Sequence, residues 1–157
     1  MRLPNGVEIP DRIGIDSDLD VTEGRKNDQL FKEIDTLCDD LAEMTFWTHK
    51  YGLNADPTCP RCGSEKHYWM KTRRRMDCID CGKEFTSKSG TIFASSTLNF
   101  RQLLKAICLA DEPKLTRKRV RNVVGVSESG ASPLLARIRL IRATGSILTT
   151  PIRAKTK

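Results

Sequence analysis

Four cysteines in two pairs, Cys59-x-x-Cys62 and Cys78-x-x-Cys81, constrain this 157-residue chain more than any other feature. Fifteen residues separate the pairs. Thiolates at that spacing can close a tetrahedral shell around one Zn²⁺, and the interval is long enough for a β-hairpin. With all four positions taken by sulfur, no place remains for water or substrate, so the expected metal is structural. A redox reading of Cys-x-x-Cys is disfavoured by two such pairs, each followed by a glycine, Gly63 and Gly82. Glycine adopts positive φ without strain and lets backbone N–H groups turn toward the sulfurs. His67 lies between the pairs and could replace a ligand, but an exposed strand residue is the favoured reading because the shell is full.

No apolar run approaches the ~20 residues of a membrane span, and Lys105 interrupts the longest, Leu103 to Ala110. The N-terminal residues lack the apolar core of a secretory signal. A cytoplasmic, nucleoid-associated chain is expected, with no membrane partner, and that compartment argues against disulfides. Cys38 and Cys108 lie in amphipathic helical patterns and are expected to be buried as small hydrophobes.

Charge is divided unevenly. Residues 1–58 carry six Lys/Arg against thirteen Asp/Glu, whereas residues 59–157 carry twenty-one against seven. A segment of net +14 that begins at the metal motif suggests a polyanion partner, most simply double-stranded DNA.

The chain divides into five parts. Residues 1–27 are expected to form a flexible acidic arm. Residues 28–52 read as one amphipathic helix, with Leu30, Phe31, Ile34, Leu37, Cys38 and Leu41 on a stripe, Asn27 or Asp28 as cap and Tyr51-Gly52 as terminator. Its stripe, through residues 28–46, could serve a homodimer or a protein partner, or pack within the chain. Residues 53–98 are the metal hairpin, a third strand and a connector. Residues 99–145 read as three helices capped by Asn99, Thr116 and Ser132-Pro133, with turns at Gly125 and Gly145. Residues 146–157 form a basic tail, expected to be loose. The expected fold class is therefore α+β, mainly helical, with a four-cysteine zinc ribbon and a C-terminal helix-turn-helix.

Candidate DNA contacts follow from this order. Lys71, Arg73, Arg74 and Arg75 occupy the hairpin tip and would grip phosphates. Tyr68 and Trp69 could stack on bases, but core residues are the preferred reading. Lys114, Arg117, Lys118, Arg119 and Arg121 surround the short helix, Ser127, Glu128 and Ser129 would face base edges, and Arg137 and Arg139 would hold phosphates. Gly130 and Pro133 disturb the last helix, so its regular part is expected to begin at Pro133, with residues 127–131 in a loop. No enzyme constellation is expected: after Glu112 the sole acidic residue is Glu128.

The run CPRCGS, then DCIDCGKEFTSKSGTIFASSTLNFRQLLKAI, resembles the N-terminal part of zinc-ribbon insertion-sequence transposases. Phe85-Thr86, Ser89-Gly90-Thr91-Ile92-Phe93, Leu98 and Phe100 fall in that family's order, as do Gly125-Val126-Ser127 and Arg137-Ile138-Arg139. The resemblance covers roughly residues 59–142. It implies a ribbon followed by a DNA-binding helix-turn-helix. Such transposases continue into an acidic-triad catalytic domain, and no such triad is expected in the residues up to Lys157. The expectation is thus a phage or bacterial transcriptional regulator derived from a transposase DNA-binding region. The alternatives are an adaptor docking on RNA polymerase or another machine, and a truncated transposase acting on transposon ends.

Overall fold

The computed structural model describes residues 23–52 and 55–149. Residues 1–22, 53–54 and 150–157 lie outside it, and with them most of the expected acidic arm and basic tail.

Two helices stand where the sequence suggested one. Helix α1 spans Glu23–Thr36 and α2 spans Asp39–Tyr51. Asn27 and Asp28 therefore sit inside α1 rather than capping it. Thr36 Oγ1 donates to the Glu33 carbonyl at 2.7 Å, and Leu37 N donates to Ile34 O at 3.1 Å, closing the first helix. Cys38 is extended, at φ −69° and ψ 161°, and serves as N-cap position of the second. Asp39 and Asp40 then fall in the first turn of α2, where the helix dipole favours carboxylates. Cys38 is exposed at this junction, not buried.

The ribbon is a three-stranded antiparallel sheet in the order β1-β2-β3, with β1 His67–Met70, β2 Arg75–Cys78 and β3 Glu84–Phe85. Tyr68 pairs with Asp77, Trp69 with Met76, and Met76 with Phe85. Cys59, Met76, Cys78 and Phe85 form a small buried cluster, with Trp47 of α2 and Cys81 at its margin. Tyr68 and Trp69 are not core residues: they lie 67% and 48% exposed. Successive strand residues point to opposite faces, so the small core can accept at most one of them. Met76 and Phe85 fill it first.

Three further helices complete the chain: α3 Phe100–Leu109, α4 Arg117–Val124 and α5 Glu128–Thr144. Asn99 caps α3 in a reciprocal box with Gln102, and Thr116 accepts from Arg119 N to cap α4. Gly125 and Gly145 end α4 and α5 in the left-handed conformation. Helix α5 begins five residues earlier than Pro133 suggested, because Ser127 accepts from Gly130 N as its cap. Pro133 thus sits inside the helix, where it cannot donate to the Ser129 carbonyl. Its exposed position lets water take that carbonyl instead.

A single larger core joins all five helices. Phe31 and Ile34 of α1, Ala42 and Phe46 of α2, Leu103 and Leu109 of α3, Val120 and Val124 of α4, and Leu134 and Ile138 of α5 belong to it. The N-terminal stripe is buried within the chain, against α3 and the connector. Phe46 packs against Phe93 and Phe100, with ring centroids 6.5 and 5.5 Å away. Residues 146–149, expected to be loose, fold back: Ile147 is buried, its carbonyl accepts from Ile92 N at 2.9 Å, and Leu148 bridges Thr91.

Candidate metal centre and nucleic-acid interface

The two cysteine turns are built alike. Gly63 N donates to Cys59 O at 2.8 Å, and Gly82 N to Cys78 O at 2.9 Å. Gly63 and Gly82 take φ of 72° and 66°. The same turns direct the backbone N–H of Ser64 at the Cys62 sulfur and that of Lys83 at Cys81. Burial pushes the Cys78 thiol up, but hydrogen bonds from the Cys81 N–H, the Cys62 thiol, the Asp80 N–H and the Cys81 thiol outweigh it and lower the group to about 7, while burial and the other sulfurs raise Cys62 and Cys81 despite their own N–H donors. These donors stabilise thiolate, the form a metal requires.

All four Sγ atoms lie within 4.8 Å of one another. Cys59 to Cys81 is 3.6 Å and Cys62 to Cys78 is 3.5 Å. Tetrahedral sulfur at Zn–S bonds of about 2.3 Å requires S–S separations of about 3.8 Å. The donor set therefore fits one structural Zn²⁺. His67 stays outside it: Nδ1 lies 2.8 Å from the Glu65 carbonyl and the ring stands edge-on to Phe85. Ser64 Oγ donates to Asp80 at 2.5 Å and so ties the first turn to the second.

The hairpin tip is held down by α2. Arg74 Nη2 donates to Glu43 at 2.7 Å and to Asp40 at 2.6 Å, and Nε adds a second bond to Glu43 at 3.2 Å. Arg75 pairs with Glu84 across the sheet. Of the four basic tip residues, Arg74 and Arg75 are thus engaged internally, while Lys71 and Arg73 are exposed and make no ion pair among the described residues. Glu43 also accepts from Ser87 Oγ at 2.7 Å, and Lys50 donates to the carbonyls of Ser87 and Ser89. Burial lowers the Lys50 ammonium to about 8. Glu43, Lys50 and Ser87 went unnoticed in the sequence. Their signal is that Glu43 and Lys50 lie seven residues apart on the same face as Ala42 and Phe46, where a solvated charge does not belong.

The candidates of the helical part split similarly. Arg119 is bound to Asp28 at 2.8 Å and Glu112 at 2.9 Å, and its guanidinium covers the Phe31 ring. Arg121 reaches Glu128 at 3.5 Å, and Arg117 reaches Ser132 at 3.3 Å. These two contacts set the outer row of α4 beside the first turns of α5, so Arg117, Arg121, Ser127, Glu128, Ser129 and Ser132 share one surface. Lys114 and Lys118 are exposed. Arg137 and Arg139 lie about 200° apart around the helix axis. They flank the exposed stripe of α5 rather than sharing one side of it.

Met44, Trp47 and Trp69 line a groove of about 250 Å³ between α2 and the hairpin, with Asp40, Glu43 and Arg74 at its edge. Among the described residues no helix is long and apolar enough to cross a membrane.

The fold and the site define a mainly helical α+β protein built on a four-cysteine zinc ribbon. Residues 35–84 match the family described as a transposase zinc-ribbon domain, so this part of the chain is similar to the N-terminal ribbon region of transposases. The match begins before the cysteines and takes in α2, the helix that Glu43, Trp47 and Lys50 tie to the ribbon. A boundary at residue 52 therefore separates parts that belong together. No curated protein and no solved structure matched the chain.

Proposed function

We propose that the chain is a zinc-dependent DNA-binding protein that regulates transcription, binding duplex DNA without strand-transfer chemistry of its own. The observation that carries the reading is the surface where α4 and α5 meet. A short basic helix, a three-residue turn and a longer helix capped by Ser127 form the order of a helix-turn-helix. Exposed Lys114, Arg117 and Lys118 lie beside the polar first turn of α5, placing cations for phosphates next to hydroxyls for base edges. The ribbon's likeness to a transposase domain and the +14 segment support the same partner. Only Glu128 is acidic after Glu112, which leaves the helical part little carboxylate for a metal-dependent nuclease.

Gel shifts of the zinc-loaded protein, with and without chelator, test the reading. Duplex binding that chelation abolishes supports it, and absence of binding overturns it. Genomic DNA recovered on the protein then separates a promoter site from transposon ends. Incubation with supercoiled DNA and Mg²⁺ leaves the plasmid intact if the role is binding alone.

One observation favours a second reading, an adaptor for a protein such as RNA polymerase. Met44 and Trp69 expose apolar surface at the α2–hairpin groove, and Tyr68 exposes more on the other face of β1. Co-purification with polymerase that survives nuclease and is lost in Trp69→Ala would favour it.

A further inference from the structure

Five ion pairs among the described residues run from the acidic part to the basic part, beside three that lie within the basic part, Arg75 with Glu84, Arg119 with Glu112 and Arg121 with Glu128. Asp28 meets Arg119, Asp35 meets Lys105 at 2.5 Å, Asp39 meets Arg101 at 2.6 Å, and Asp40 and Glu43 meet Arg74. Every carboxylate in this group comes from α1, α2 or the turn of α2, and every cation from residues 74–119. Asp28, Asp35, Asp39 and Asp40 have side chains 55–83% exposed. Pairs so open to water add little to stability. What they do accomplish is to cancel positive charge at four places on the surface. Of the candidate phosphate contacts, those without such a partner among the described residues are Lys71 and Arg73 at the hairpin tip, Lys114, Arg117 and Lys118 about α4, and Arg137 and Arg139 on α5; Lys32, on α1 among its carboxylates, and Arg61, Lys66 and Lys83 of the ribbon also make no ion pair among the described residues.

We propose that the α1–α2 carboxylates act as a built-in counter-anion that keeps polyanions off the α1–α3 side and leaves the α4–α5 edge and the hairpin tip open to them. This rests on the DNA-binding reading for the identity of the polyanion but not for the sorting itself. A phosphate backbone approaching Arg101 or Lys105 meets Asp39 and Asp35 first and is repelled. One approaching α4 meets cations that have released only counterions. The acidic helices thereby choose the orientation in which a long polyanion can lie, which a chain of uniformly exposed +14 charge could not do.

Counterion release gives the test, because each phosphate contact adds roughly 0.9 to the slope of log K against log salt. The triple variant Asp35→Asn, Asp39→Asn, Asp40→Asn is compared with a charge-matched control, Asp56→Asn, Glu65→Gln, Asp111→Asn, whose carboxylates make no ion pair among the described residues. Binding of a 30-base-pair duplex is measured from 50 to 200 mM salt, with circular dichroism as the check on folding. The expected result is a slope steeper by about one to two in the first variant only, or about a threefold larger affinity change per added contact over that range. Equal slopes in the two variants overturn the proposal. If the triple variant does not fold, single variants decide: Lys118→Gln lowers the wild-type slope and Arg101→Gln does not, and equal losses overturn the sorting. Elution from heparin, measured in parallel, separates the two ideas. Retention on heparin without duplex binding removes the DNA reading while the same variants still judge the sorting.

Discussion

The carboxylate of Glu43, a buried residue of α2, receives two hydrogen bonds from the Arg74 guanidinium, 31 residues later at the tip of the zinc hairpin. Arg74 is also the sole described non-glycine residue at positive φ, at 49°. The pair therefore holds the hairpin against the helix through a residue whose own backbone is strained. Removing the guanidinium leaves Glu43 with Ser87 alone and, because Arg74 is half exposed, costs about 1–2 kcal/mol. Arg74→Gly loses the same pair but relaxes the left-handed backbone. Thermal melts of the zinc-loaded variants should place Arg74→Gly above Arg74→Ala, by about 1 kcal/mol. Equal losses would show that the turn carries no strain.

Six thiols of three kinds predict a graded reactivity. The zinc-loaded protein has one fast thiol, Cys38, which is exposed. Burial, with the Asp111 charge in second place, pushes the Cys108 thiol up to about 11, so it reacts slowly at neutral pH. Titration with a thiol reagent should therefore find one fast group, and chelation should release four more together with one zinc per chain. More than one fast group before chelation would contradict the closed site.

Gly90 stands where the connector meets both the first cysteine turn and the C-terminal residues. Its φ is 75°, a Cβ there would lie 3.2 Å from Pro60 Cβ, and its carbonyl accepts from Thr149 N at 3.1 Å. Gly90→Ala forces an unfavourable backbone and a close contact together. A loss of about 1–3 kcal/mol is expected in chemical denaturation. An unchanged midpoint would mean that the turn adapts freely.

Lys50 links stability to pH. Its ammonium is lowered by burial from the usual 10.5 to about 8, so between those values the unfolded chain holds a proton that the folded chain has released. Stability gains with rising pH across that window, and the unfavourable burial of charge is fully present below pH 8. Buried Tyr51 and Cys108, both raised, act in the opposite sense above pH 9. Comparing wild type with Lys50→Met removes their contribution. The difference in unfolding free energy should move in favour of wild type as pH rises from 8 to 10. A flat difference would place the Lys50 ammonium at its ordinary value.

The metal hairpin was legible because everything that makes it is local. Two cysteine turns, their glycines and the strands between them fit within residues 59–85, and no distant residue is required to recognise them. Caps were legible for the same reason: Asn99, Thr116, Gly125 and Gly145 act within one turn of their own helix. The break at Leu37-Cys38 was not, since an unbroken apolar stripe continues through it, and the residue that holds the freed Leu37 carbonyl and Asp39, Arg101 of α3, lies more than 60 residues away. Ser127 prevailed over Pro133 as the start of α5 because a capping side chain satisfies backbone donors that a proline only leaves absent.

By itself, then, the sequence determined a zinc ribbon of transposase type, a mainly helical α+β chain and a charge split at residue 58. Short-range chemistry settles each of these: thiolate geometry, capping and composition. Tertiary structure decided which charges remain available. Arg74 and Arg119 read as phosphate ligands, and Arg101 and Lys105 lie in the same basic segment, yet each meets a carboxylate from 34 to 91 residues away. Only the fold brings those partners within 3 Å. The same folding placed Tyr68 and Trp69 at the surface, because the small core beside the four sulfurs was already filled by Met76 and Phe85.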